Sequence, residues 1–224
     1  MKSNRSDAPR PRNLKQPTRR KGSLGSDRIR IEVLFLGTVC WRTVVLLARK
    51  VPAEVEVEIR EFSPDHARAV RELFIRVNRL LAPADMKEAF EIYIARALRE
   101  EIDRVSEYYS QREGGFWVAV DGETLVGMFG LESSTDSGME LRRMYVDPDL
   151  RRRGIARTML VFAEEECRRR NRPRLNLSTS ELQTEALALY QSAGYELVHD
   201  EVAVIGSNKS LGGGLRRYHF TKAL

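Results

Sequence analysis

The sequence predicts an α/β domain over residues 55–224, with about seven strands and four helices read from its periodicities. Three observations predict it. Glu54-Val-Glu-Val-Glu-Ile-Arg-Glu-Phe62 alternates charged and apolar residues, the period of a half-buried strand. Asp121-Gly122 stands between two apolar runs, a strong hairpin signal. Met139 to Leu160 reads as a strand ending at Pro148, a turn of consecutive arginines, and a helix opening at Gly154.

Each element follows in order. After the first strand, Ser63-Pro64-Asp65 starts a helix, since proline is tolerated in a first turn. That helix carries Val70, Leu73, Phe74, Val77 and Leu80/Leu81 at helical spacing. A second, long helix is expected from about Asp85 to Gln111. Its apolar stripe is Phe90, Ile94, Ala97/Leu98, Ile102, Val105 and Tyr109, with neither Gly nor Pro inside. Phe116–Gly130 supplies the hairpin, whose returning strand ends near Leu131, and Leu141–Val146 is the fourth strand. Helix Gly154–Arg170, strand Arg174–Thr179 and helix Glu181–Ala193 come next, the last with a capping box from Ser180 and Gln183. Gly194 suits the left-handed residue that ends this helix. Tyr195–Ile205 and Arg216–Lys222 complete the strands, joined by a connection containing Gly212-Gly213-Gly214.

The net charge is unevenly placed. The chain has 224 residues and a formal charge of +6. Residues 1–30 hold ten Lys or Arg and two Asp, a balance of +8, which leaves −2 for the rest of the chain. This stretch has almost nothing apolar, so it reads as a disordered basic tail, because burial cannot offset its ordering entropy. Weak contact with nucleic acid or an anionic membrane is one reading of the tail, and a solubilising extension is the other. Residues 31–54 form an apolar and basic extension. Its apolar core, Val33–Trp41, is too short for a span of roughly 20 residues, though it could lie in a membrane interface. Two unpaired cysteines, Cys40 and Cys167, point to a reducing compartment and a cytoplasmic protein. His66, His199 and His219 are scattered, so no metal site is expected.

The arginine turn carries the chemistry. A helix start exposes unpaired N–H groups and the positive end of the helix dipole, and both attract phosphate. Gly154 lets the backbone approach an anion, and Arg151, Arg152 and Arg153 add charge and donors beside it. A P-loop would need Lys and then Ser or Thr after its glycines, and a dinucleotide site would need G-x-G-x-x-G; neither is present. The pattern that remains is Arg151-x-x-Gly154-x-Ala156, preceded by Met144-Tyr145-Val146-Asp147-Pro148. It resembles the acetyl-CoA-binding motif of the GCN5-related N-acetyltransferases (GNAT). Leu182–Tyr195 likewise resembles the fourth helix of that family, with Tyr190 four residues before the terminal Gly194.

The resemblance covers residues 55–224 and implies the acyl-CoA N-acyltransferase fold: a mixed, mostly antiparallel sheet flanked by helices. It implies acetyl transfer from acetyl-CoA to a primary amine by direct attack in a ternary complex, with no metal. Strands four and five would splay apart, with backbone near Met144, Tyr145 and Val146 facing the thioester oxygen. The phosphates would rest on backbone from Arg152 through Arg153, Gly154, Ile155 and Ala156 to Arg157, with Arg151 adding charge beside them. Gln183 stands where members often place an Asn that contacts the pantetheine. Tyr190 is the expected general acid, its other reading being a half-buried core aromatic. Glu140 is the nearest carboxylate for a base acting through water, and equally a solvent-facing strand residue. Many members carry a glutamate on the fifth strand where this chain has Ser178.

Tyr93–Tyr109 followed by Phe116-Trp117-Val118-Ala119 is similar to the camello-like branch, which includes cysteine-S-conjugate and lysine acetyltransferases. The hydrophobic insert of that branch is missing before this helix. A small amine or amino-acid derivative is the expected acceptor, with Arg142 and Arg143 available to pair with its carboxylate. Protein lysine or N-terminal acetylation, and a non-catalytic CoA-binding module recruited by the basic tail, are the alternatives.

Overall fold

The computed structural model describes residues 57–224. The expected basic tail, the apolar extension, and the nucleic-acid or membrane contact assigned to them lie outside the described residues, as does Cys40. No helix among the described residues is long and apolar enough to cross a membrane.

Among the described residues, seven strands form one sheet in the order β1-β2-β3-β4-β5-β7-β6. They are β1 (Val57–Glu61), β2 (Gly115–Asp121), β3 (Thr124–Ser133), β4 (Met139–Val146), β5 (Arg174–Ser180), β6 (Glu196–Ala203) and β7 (Leu215–Ala223). Only β4 and β5 run parallel; every other neighbouring pair is antiparallel. The helices are α1 (Ala67–Leu81), α2 (Lys87–Glu100), α3 (Val105–Ser110), α4 (Ile155–Arg169) and α5 (Thr184–Ser192).

Both faces of the sheet are covered, and β2 shows how. Its side chains alternate between the faces, as the strand period requires. Phe116, Val118 and Val120 join Val70, Phe74, Ile94 and Tyr109 from α1 to α3 in one core. Trp117 and Ala119 join Met159, Ala163 and Cys167 of α4 in the other, where Trp117 stacks on Phe129 at 5.5 Å. Cys167 is fully buried, and burial pushes its thiol up to about 12, so it is packing and not a nucleophile. The β2–β3 hairpin turns at the expected place, with Gly122 at φ 60° and Asp121 paired with Thr124.

Two helices depart from expectation. The long second helix breaks at Glu101, whose backbone (φ −141°, ψ −61°) leaves the helical region; a 3-10 turn at Ile102–Arg104 then leads into α3. Helix-forming composition alone would have kept it continuous. The break swings Glu101 into the interior, where it is fully buried against Arg142, Arg143 and Tyr109. Tyr109 fits because its ring crosses Gly130 of β3, where a Cβ would stand 2.4 Å from the ring. The last helix starts at Thr184, later than Glu181, because Gln183 turns its amide back to Ser180 O at 3.0 Å. Half of the expected capping box survives as a long contact from Ser180 N–H to Gln183 Oε1, 3.5 Å. Gly194 has φ 81° and follows this helix as expected.

Candidate functional site

A cleft opens where β4 and β5 part. The two strands pair only over Met139–Leu141 against Leu175–Leu177, after which one edge of β4 has no strand partner. Just beyond the split, β4 bulges: Arg142 faces Gly130 and Tyr145 faces Met128, so Arg143 and Met144 share one partner position. Arg143 takes φ 53° there, a left-handed value that costs roughly 1–2 kcal/mol for a side-chain-bearing residue. The Asp147 N–H donates back to Val126 O at 2.9 Å, so strand alternation turns the Met144 and Val146 amides toward the open edge.

The cleft has two halves that meet at Met144, Tyr145 and Gln183. One half is a groove of about 650 Å³ between β4, the start of α4 and α5. Val146, Arg151, Arg152, Gly154, Ile155, Ala156 and Arg157 all line it. Arg153 is exposed and does not line it, because the chain turns there between two left-handed residues, Arg152 (φ 64°) and Gly154 (φ 82°). Thr158 is the first to bond back along α4, to Gly154 O at 3.0 Å, which leaves the Ile155, Ala156 and Arg157 amides as the helix's orphan donors. A Cβ at Gly154 would meet nothing within 4 Å, so the groove is open over this turn. Arg151 leans on Glu185 at 3.3 Å, and both are exposed. Donors, helix dipole and excess positive charge suit a polyphosphate.

The other half lies on the far side of Met144, bordered by β4, β5, β7 and the 206–211 loop. Tyr190 of α5 lines it, 6% exposed, with its ring 5.9 Å from Tyr195 and 6.2 Å from Phe220. Burial, and then the neighbouring Tyr145, hold its hydroxyl above the ordinary tyrosine range, so it stays protonated. No hydrogen-bond partner engages that hydroxyl among the described residues, and no polar side-chain atom there is both buried and unpaired. Gln183 accepts from Thr179 Oγ1 at 3.0 Å, which fixes its amide at the join of the two halves.

Charge in this half is held by a network that sequence reasoning missed. Glu101 accepts from Arg142 (2.9 Å), Arg143 (2.7 Å) and the Tyr109 hydroxyl (2.7 Å). Burial alone would raise its pKa, yet Arg143 and Arg142 outweigh this and hold the carboxyl below its usual value. Arg142 also reaches Glu132 at 3.1 Å, and Arg143 reaches the Tyr93 hydroxyl. The bulge is what lets adjacent residues of β4 reach the same carboxylate. Arg142 and Arg143, expected to meet a substrate carboxylate, are instead 6% and 8% exposed and committed to internal carboxylates. Glu101 had one visible signal: it falls four residues after Ala97 and four before Val105, inside the apolar stripe.

Glu140 does border the cleft, and Lys209 of the 206–211 loop donates to it at 2.7 Å while also gripping Glu132. Ser178 accepts a hydrogen bond from Arg217 of β7. Lys209 and Arg217 come from segments that the sequence reading placed only as loop and strand. No group of His, Cys, Asp and Glu able to hold a metal occurs among the described residues.

Comparison with known proteins agrees with this fold. The profile of the acetyltransferase (GNAT) family matches residues 81–195. The chain is 32% identical over 120 residues to human N-acetyltransferase 8, covering 49% of this chain and 51% of that one. It is 33% identical over 104 residues to the N-acetylaspartate synthetase of Xenopus tropicalis, covering 46% and 38%. The chain thus spans about half the length, or less, of these curated relatives. A PaiA N-acetyltransferase of Thermoplasma acidophilum, solved in complex with coenzyme A, shares the fold. Its TM-score is 0.57 and its identity 20%, over 75% of this chain and 99% of that one.

Proposed function

The chain belongs to the acetyltransferase (GNAT) family, and from that premise we propose that it moves an acetyl group from acetyl-CoA to the primary amine of a small acceptor or amino-acid derivative. The observation that carries this reading is the continuity of the cleft, in which a phosphate-suited groove joins a polar chamber at the unpaired edge of β4. The name of the frog relative, an N-acetylaspartate synthetase, supports an amino-acid acceptor.

Acetyl-CoA supplies the activated acetyl thioester. The α4 amides, with Arg151, Arg152 and Arg157, hold its phosphates, and Gln183 lies along its arm. The Met144 and Val146 amides steady the negative charge that grows on the carbonyl oxygen as the amine attacks. A carbon–nitrogen bond forms and the carbon–sulfur bond breaks. Tyr190 gives its proton to the departing sulfur and is the general acid. The proton released by the amine passes through water to Glu140, whose charge Lys209 steadies. Positioning and proton transfer account for the reaction, with no covalent intermediate on the protein.

Calorimetry on the Gly154→Glu variant tests the groove. The open space at this residue lets the domain fold, at a cost of roughly 1 kcal/mol for the left-handed backbone. The added carboxylate faces phosphate, so acetyl-CoA affinity falls at least about 100-fold, the size of a like-charge contact of several kcal/mol. Undiminished affinity in a folded variant removes the groove from the account.

A further inference from the structure

Arg217 is the one cation of the acceptor chamber with no carboxylate within ion-pair distance among the described residues. It stands on β7 between Ser180 of β5 and Glu201 of β6. Its guanidinium donates to Ser178 Oγ, a neutral acceptor that orients the charge without cancelling it. Glu201, its cross-strand neighbour, is instead engaged by His219 Nε2 at 3.0 Å. Glu140 is engaged by Lys209 at 2.7 Å. Arg142, Arg143 and Lys209 are thus each ion-paired to Glu101, Glu132 or Glu140, whereas Arg217 is held by Ser178 alone.

Burial lowers the pKa of Arg217, and the fields of Glu201 and Glu140 offset this only in part. A partly desolvated guanidinium without a counterion is unfavourable, and a planar carboxylate satisfies it in bidentate fashion. The phosphates of acetyl-CoA are not that counterion, because Arg217 lines the chamber and not the groove at α4.

We propose that Arg217 receives the carboxylate of the acceptor, so that the amine acetylated here belongs to an amino acid or a derivative that keeps a free carboxylate. The proposal rests on the acetyltransferase reading and narrows it by charge. It also moves to β7 the role that the sequence had suggested for Arg142 and Arg143.

The test uses the full chain with acetyl-CoA and a panel of amino acids, each set against its analogue with every carboxylate amidated. Release of CoA thiol gives kcat and KM, and calorimetry gives acetyl-CoA affinity. The wild type favours the carboxylate acceptor by at least about 10-fold in kcat/KM, mostly through KM. Arg217→Gln abolishes that preference, Arg217→Lys recovers part of it, and neither changes acetyl-CoA affinity. Equal turnover of both members of every pair by the wild type overturns the proposal. An equal loss on both members in Arg217→Gln does so too, since that is what a purely structural role gives. Turnover of amines without carboxylates, and of no amino acid, overturns it while leaving the acetyltransferase reading intact. Failure to bind acetyl-CoA, or to acetylate any amine, sinks that reading and this one together.

Discussion

Tyr190 is the residue on which the proposed proton transfer turns. Its hydroxyl is held protonated by burial, with Tyr145 adding to the effect. A raised pKa means that the acid form persists above the ordinary tyrosine value of about 10. The kcat of the wild type should therefore show no fall through pH 10; a fall with an apparent pKa of 10 or lower would remove Tyr190 from the role of acid. Tyr190→Phe should lower kcat about 100-fold, the usual scale of general-acid catalysis, with acetyl-CoA affinity nearly unchanged. Full turnover in that variant would likewise exclude Tyr190 as the acid. Tyr190 and Gly154 were legible in the sequence because their signals are local: a helix terminus and a glycine turn are written in consecutive residues. Arg217 was not legible. Its importance comes from what β5 and β6 place beside it across the sheet, and register across distant strands is not written in any local pattern. Arg142 and Arg143 were misread for a related reason, since a bulge turned both toward a carboxylate on another element.

Among the elements, the interrupted second helix and the bulged strand are one device. Glu101 leaves the helix so that its carboxylate can sit between Arg142 and Arg143, and the bulge presents both arginines to it. Removing that charge leaves two buried guanidiniums poorly matched, which typically costs about 3–5 kcal/mol. Glu101→Gln should thus lower the melting temperature by on the order of 10 °C, given the usual 2–4 °C per kcal/mol for a domain of this size. The sign of the pH dependence follows from the depressed pKa of Glu101. Its contribution is present above the unfolded value of about 4.3 and is lost as pH falls through the lower folded value. The gap in melting temperature between wild type and Glu101→Gln should therefore close below about pH 4; a gap that persists unchanged at acid pH contradicts the assignment. Helix spacing was read correctly through Tyr109, yet composition offered no Gly or Pro to mark the break. A tertiary ion pair overrode local preference there. The strands, by contrast, were legible because alternation at β1, the Asp121-Gly122 turn and the run before Pro148 each fix one period.

Across the described residues as a whole, two cores clamp a sheet whose single parallel junction comes apart toward one end. That parting is what lets a groove suited to phosphate reach a chamber lined by Arg217. The domain expected at residues 55–224 is proposed as the catalytic unit, and a cytoplasmic setting remains a proposal with it. The overall arrangement was legible from the order of elements and the resemblance they carry, whereas the loop that brings Lys209 over Glu140 was hidden in a glycine-rich connection. The cleft is proposed to take acetyl-CoA at one end and hand its acetyl group to an amine at the other. The most direct measurement is release of CoA thiol from acetyl-CoA by the full chain, with and without a broad panel of amines and amino acids. Release should depend on an amine, saturate with it and be lost in Gly154→Glu. Release that is indifferent to every amine, or absent while the protein is folded, would contradict it.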